Sequence, residues 1–142
     1  MCRRREGTLQ FKIKKSFIIS YAHRLKGYRG RCGRIHGHTA NIEVVCGVKH
    51  LGENGIGIDF NEIKEKVGSW LNEALDHRLL LEKTDPAGKG LKEMGEDVLL
   101  LPFQPSAENL ARMIYKKVKE MGFPVEEVIF FESPTSAASY KD

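Results

Sequence analysis

Residues 8–23 read TLQFKIKKSFIISYAH, and their alternation decides the fold. Leu9, Phe11, Ile13, Phe17, Ile19 and Tyr21 share one parity, while Gln10, Lys12, Lys14, Ser16 and Ser20 take the other. Successive side chains of a strand point to opposite faces, so this stretch predicts one long half-buried strand, bulged around Lys15. Further on, Ala40, Ile42, Val44, Cys46 and Val48 alternate with Thr39, Asn41, Glu43 and Gly47 as a second strand over 39–49. The two read as long antiparallel neighbours, with the glycine-punctuated basic loop Gly27-Tyr28-Arg29-Gly30-Arg31 at one end.

That pairing concentrates the chemistry. His23 ends the first strand on its apolar parity, where a lone histidine reads as a core residue satisfied by a hydrogen bond. The returning strand brings partners from Cys32-Gly33-Arg34-Ile35-His36-Gly37-His38. Histidines at i and i+2 of an extended chain project to one side, so His36 and His38 can reach a single ion together with His23. Gly37 between them removes a side chain where the backbone would approach that ion. Zinc is the expected metal, since neutral imidazoles and a thiolate suit it. Cys32 is either a fourth ligand or a thiol held beside the metal for chemistry; four protein ligands close a structural site, and three leave a catalytic one open. Cys46, among β-branched neighbours, reads as an inert core thiol.

Past a glycine turn over 52–57, Asp59 with Glu62 forms a capping box for a helix. Phe60, Ile63, Val67, Trp70, Leu71, Ala74 and Leu75 give it one apolar face. Asp76-His77 closes this helix, either as a surface accident or as a carboxylate orienting an imidazole for proton transfer. Residues 82–104 read as a loop with a small element at Val98–Leu101. Pro105 then starts a second helix, capped by Gln104 or Ser106, with Leu110, Ile114, Val118 and Met121 as its buried stripe. Gly122 and Pro124 stop it. An apolar strand over Val128–Phe131 ends in Glu132, which either marks an exposed end or, if buried, needs hydrogen-bond donors. A short strand over Ser136–Tyr140 finishes the chain. The order ββααββ predicts an α+β domain over residues 1–142, an antiparallel sheet with two helices on one face. Its uncovered edges and bare face predict self-association.

The chain has 142 residues and a net charge of +4. Arg24, Lys26, Arg29, Arg31 and Arg34 fall within eleven acid-free residues, a cluster that invites a polyanion where it is not simply solvated. Three irregularly spaced cysteines argue against a disulfide framework and for a reducing, cytoplasmic setting. No stretch approaches transmembrane length and no signal peptide is expected. Two classes fit: an enzyme acting on a phosphorylated small molecule, and a zinc-stabilised nucleic-acid-binding protein using Arg3 to Arg5 and Arg24 to Arg34. Tyr28 is the only aromatic in the basic stretch, which disfavours the second and leaves no nucleic acid expected.

Over almost its whole length the sequence resembles the 6-pyruvoyl-tetrahydropterin synthase family, most of all its 6-carboxy-tetrahydropterin synthase branch, which feeds 7-deazaguanine (queuosine or archaeosine) synthesis. The likeness rests on Ala22-His23-Arg24-Leu25, Cys32 to His38, Gly57-Ile58-Asp59-Phe60, Leu75-Asp76-His77, Pro105-Ser106-Ala107-Glu108-Asn109-Leu110 and Glu132-Ser133. Three residues separate Cys32 from His36, the shorter spacing of the carboxy branch. The resemblance implies the tunnelling fold, with sheets of three subunits joined into a barrel, two barrels stacked as a homohexamer, and active sites between subunits. It implies zinc on His23, His36 and His38, Cys32 as general base, Asp76 and His77 as a second proton relay, and Glu132 as anchor of a pterin ring. Zinc and the arginines would favour the Cys32 thiolate. The substrate implied is 7,8-dihydroneopterin triphosphate. By charge, the basic stretch including Arg34 faces its triphosphate. The 6-pyruvoyl product and a side-chain aldolase reaction are the enzymatic alternatives. Ser106-Ala107 replaces a common Thr-containing pair near the pterin, Leu80-Leu81 stands where an Asn is frequent, and the 82–97 loop is longer than in compact members.

Overall fold

The computed structural model describes residues 11–142, so Arg3 to Arg5 and the strand start at 8–10 lie outside the described residues. The first strand, β1 (Phe11–His23), pairs antiparallel with β2 (His36–Val48) without interruption, from Phe11 opposite Val48 to His23 opposite His36. No bulge occurs at Lys15, which pairs in register with Val44. Irregularities lie instead at Val45/Cys46, where β2 meets β5 (Val125–Ser133), and at Phe131/Ser133 near the end of β5. Ile19, Tyr21 and His23 are buried on one face of β1, and Ala40, Ile42, Val44 and Cys46 continue that face on β2.

Helix α1 (Phe60–Ala74) starts where the Asp59 carboxylate accepts the Asn61 N–H at 2.8 Å. The Glu62 carboxylate pairs with Lys66 at 3.1 Å, so the expected reciprocal box is replaced by an i,i+4 ion pair. Ile63, Val67, Leu71 and Leu75 pack into the core as expected, whereas Phe60 is 59% exposed. Helix α3 (Ala107–Glu120) starts two residues later than expected. Ser106 is its cap, accepting the Asn109 N–H, while the Gln104 amide clasps the backbone of Lys26 through bonds of 3.0 and 3.2 Å. Pro105 stays outside the helix because its carbonyl is turned toward His23. Leu110, Ile114 and Val118 are buried in the same core as α1.

The greatest departure from the sequence reading lies between the helices. Residues 79–101 form a β–α–β unit: β3 (Leu79–Glu82), α2 (Ala87–Glu93) and β4 (Val98–Leu101). β3 runs parallel to both β1 and β4, so the sheet is mixed, in the order β4-β3-β1-β2-β5-β6, with β6 spanning Ser136–Tyr140. Leu80 joins the main core. Its neighbour Leu81 points to the opposite face by strand alternation. There α2 covers it, approaching so closely that a Cβ on Gly88 would lie 2.9 Å from Leu100 Cδ2. The described residues thus carry three α-helices, the small one on the other face of the sheet's edge.

This unit has a structural duty toward the basic stretch. The Arg24 guanidinium forks onto the buried carboxylate of Asp85, with Nε–Oδ2 at 2.7 Å and Nη2 against Oδ1. Asp85 also accepts the Ala87 N–H at 2.9 Å, and Lys26 Nζ donates to Thr84 at 2.7 Å. The bond to Arg24 holds the Asp85 carboxyl below the usual carboxylate range. Its stabilisation is therefore complete at neutral pH and fades as the pH falls through that lowered value. Asp85→Ala would leave Arg24 without its partner and is expected to cost about 3 kcal/mol, the low end for a broken buried pair. A urea titration should show the loss near pH 7 and a shrinking difference from the parent in acid; equal midpoints at pH 7 would contradict the clamp.

Candidate metal centre and cleft

His23, His36 and His38 offer one ring nitrogen each, and these atoms lie within 4.8 Å of one another, the only such group among the described residues. β1 and β2 create the cluster directly: His23 faces His36 across the ladder, and Tyr21 faces His38. Backbone carbonyls orient two of the rings. His23 Nδ1 donates to the Pro105 carbonyl at 2.6 Å, and His36 Nδ1 donates to that of Arg34 at 2.5 Å. A carbonyl only accepts, so each Nδ1 carries a proton, and a neutral ring then keeps its lone pair on Nε2. Those two Nε2 atoms nevertheless stand 3.1 Å apart. Burial holds His23 below the ordinary imidazole value, so it is neutral at pH 7. In that tautomer two lone pairs face each other, and a cation between them relieves the clash. His38 Nε2 agrees: it is buried, and Glu132 Oε1 at 3.3 Å lacks the angle for a hydrogen bond, leaving it without a partner. The donor set fits a metal ion.

Cys32 is not a member of the three-nitrogen group. It lies in a one-turn 3₁₀ segment, Arg31–Gly33, half-buried, and held by its carbonyl, which accepts the Leu25 N–H at 2.8 Å. Gly33 is required there, since a Cβ would sit 2.1 Å from the Tyr28 carbonyl oxygen. Gly37, expected to make room for the ion, is instead set against the Tyr21 carbonyl, 3.3 Å from a would-be Cβ. Strand alternation puts it on the face away from the histidines.

A cleft of about 230 Å³ opens beside the cluster, walled by His23, Cys32, Ser106, Ala107, Glu132 and Ala137. Its volume suits a flat bicyclic ring better than a larger ligand. Glu132 reaches into it from β5 with its carboxylate 3.3 Å from His38 Nε2 and 4.0 Å from His23 Nε2. Ser106 and Ala107 present the first turn of α3, where backbone N–H groups lack helical acceptors. The Ser106 hydroxyl oxygen already caps the helix, which leaves its proton as the group it can offer. Arg34 contributes its carbonyl to His36 while its side chain is exposed. Arg24 is committed to Asp85, so the basic stretch does not act as one anion-binding patch.

His77 lines a separate hollow with Ser20, Ala22, Arg78 and Asp97, and Asp76 is bonded to it. Asp76 accepts the Ser20 N–H and the His77 Nδ1–H, both at 2.8 Å. Burial opposes its ionisation, but these bonds outweigh it and set the carboxyl below its ordinary value. His77 has φ 59 and is pinned by its N–H to the Ser20 carbonyl at 2.6 Å, which turns its ring outward, 80% exposed. Nδ1 faces the carboxylate, so Nε2 is bare toward solvent.

Sequence reading missed Tyr21, which it left in the core. Its ring touches His23, His38 and Phe130 at centroid distances of 5.0, 5.8 and 5.7 Å, and its buried hydroxyl has no partner. Burial and the Glu132 charge push this phenol far above its usual value, so it stays a neutral O–H. Position on the inward parity two residues before His23 was the available signal.

The mixed α+β sheet thus carries three histidines that could hold a metal ion beside a cleft that offers a thiol and a carboxylate, the kinds of group an enzyme site is built from. The chain belongs to the 6-pyruvoyl tetrahydropterin synthase family, whose profile matches residues 12–142. It is 33% identical over 130 residues to a 6-carboxy-5,6,7,8-tetrahydropterin synthase of Rickettsia bellii, covering 87% of this chain and 94% of that protein. It is 29% identical over 140 residues to the enzyme of that name from Haemophilus influenzae, covering 93% and 99%. Among solved structures, an uncharacterized protein from Wolinella succinogenes aligns with a TM-score of 0.78 at 21% identity, covering 93% of this chain and 98% of the other. The 6-pyruvoyl tetrahydropterin synthase of Caenorhabditis elegans aligns at 0.71 and 21%, covering 93% and 95%. These likenesses establish the tunnelling fold. Among the described residues no helix is long and apolar enough to cross a membrane.

Proposed function

We propose that this enzyme is a zinc-dependent 6-carboxy-tetrahydropterin synthase, converting 7,8-dihydroneopterin triphosphate and one water to 6-carboxy-tetrahydropterin with loss of triphosphate and acetaldehyde, for 7-deazaguanine synthesis in the cytoplasm. The observation that carries the reading is the convergence of ring nitrogens of His23, His36 and His38 beside the cleft that His23 shares with Cys32 and Glu132. Zinc suits them: a tetrahedral ion with Zn–N of about 2.0–2.1 Å sets its nitrogens roughly 3.3 Å apart, close to the 3.1 Å between His23 and His36. When bound, zinc supplies Lewis acidity toward the hydroxyls of the substrate side chain and leaves a position open for them.

The chain's own residues divide the remaining work. Glu132 accepts two N–H bonds from the guanidine-like edge of the pterin, and charge strengthens them about twofold over neutral bonds. Ser106 and Ala107 steady the ring from the first turn of α3. Cys32 takes a proton from the side-chain carbon held beside it. Asp76 keeps the His77 proton on Nδ1, so that Nε2 exchanges protons on the opposite side of the substrate. Because that pair lies outside the cleft of its own chain, His77 serves a cleft of a neighbouring copy, which is the support for a homohexamer with sites between subunits. Arg34, next but one to His36 and exposed, meets the departing triphosphate.

Incubating the zinc-loaded protein with dihydroneopterin triphosphate and identifying products by mass tests the reading. 6-Carboxy-tetrahydropterin together with acetaldehyde is expected. A 6-pyruvoyl product, or an aldol product that retains the dihydropterin, would replace the carboxy assignment.

A further inference from the structure

The two side-chain atoms left buried without a partner among the described residues are His38 Nε2 and the Tyr21 hydroxyl, and their rings lie 5.8 Å apart. A metal ion accounts for the first. The second needs an acceptor of its own, since a buried donor with none is costly and rare in folded proteins. Around the phenol stand His23, His38 and the apolar Phe130. With a metal in place the imidazole Nε2 atoms are taken as ligands. Glu132, two residues beyond Phe130 on β5, is then the acceptor that remains, and it is the one ionised group whose field reaches the hydroxyl. In this structure Glu132 leans on the Nε2 atoms at 3.3 and 4.0 Å, the space the metal would claim.

We infer that Tyr21 is a positioning residue for Glu132. With the three histidines holding a metal, the carboxylate would be free of them, and the buried O–H would donate to one Glu132 oxygen and hold the group turned into the cleft. The phenol never meets the substrate. It sets the rotamer of the residue that does, and it pre-organises a charged acceptor that would otherwise stay mobile or fall back on the metal. This rests on the reading of Glu132 as the pterin anchor.

Tyr21→Phe removes one oxygen and keeps the ring packing. In the zinc-loaded protein it should weaken binding of neopterin, an unreactive pterin followed by its fluorescence, about tenfold, the scale of one charge-assisted hydrogen bond. Zinc content and melting temperature should not fall, because no ligand and no satisfied contact of the metal-free fold is lost. In a Glu132→Gln background the same change should have almost no further effect, since the two groups act through one bond. Undiminished neopterin affinity in Tyr21→Phe, equal losses in both backgrounds, or loss of zinc would each overturn the inference. Failure of the anchor reading shows separately, as Glu132→Gln alone binding neopterin like the parent.

Discussion

Replacing His36 with alanine is expected to strip the protein of its metal and abolish turnover. Three imidazole nitrogens converge, and removing one would leave an ion only His23 and His38 to hold it. Loss of a group that merely orients a ligand costs about 10–100-fold in metal affinity, so loss of the ligand itself should exceed 100-fold. Elemental analysis after dialysis should find about one zinc per parent chain and little in the variant. A second readout is independent of activity. A ligand bound only by the folded state stabilises it by about 4 kcal/mol at a thousandfold excess over its Kd, so zinc should raise the parent's melting temperature and leave that of His36→Ala unmoved. The variant should still fold, because His36 lies at the rim of the sheet and contributes nothing to the core cluster. An undiminished zinc content would dismiss the three-histidine centre.

The second large effect falls on Cys32, and it has the opposite pattern. Cys32→Ala should retain metal and melting temperature yet lose about 10²–10⁴ in kcat, the usual contribution of a placed proton-transfer group. The geometry separates the two outcomes in advance. Sulfur is absent from the cluster of converging nitrogens but present on the cleft wall, and the segment is held by the Cys32 carbonyl and by Gly33, neither of which the substitution touches. If zinc leaves with the thiol, Cys32 is a fourth ligand and the centre is structural. If turnover survives, the proton goes to another group in the cleft.

Much of this arrangement was legible before any coordinates. Period-two alternation in β1 and β2 is local and strong, because one face must be buried, so register followed, and with it the meeting of His23 with His36 and His38. Motif spacing pointed to the family. The β–α–β unit was not legible for reasons that are equally physical. β3 and β4 are four residues each, too short to show a period, and α2 carries glycines at 88 and 90 that weaken a helical signal. One of those glycines is there for close packing on Leu100, a contact from a different element. The basic run misled in a similar way. Charge can be counted in a sequence, but Asp85 lies 61 positions from Arg24, and only folding shows that the guanidinium is spent on it.

By itself, then, the sequence determined what depends on near neighbours: two alternating strands, two amphipathic helices and three histidines placed by strand register. Tertiary structure decided whatever depends on distant groups sharing one small volume. It turned the Pro105 and Arg34 carbonyls onto the imidazoles and so exposed their lone pairs. It buried Tyr21 beneath them with its hydroxyl unmatched, and set Asp76 and His77 outside the cleft of their own chain. Protonation, orientation and desolvation are properties of an environment, and residues far apart along the chain supply that environment here.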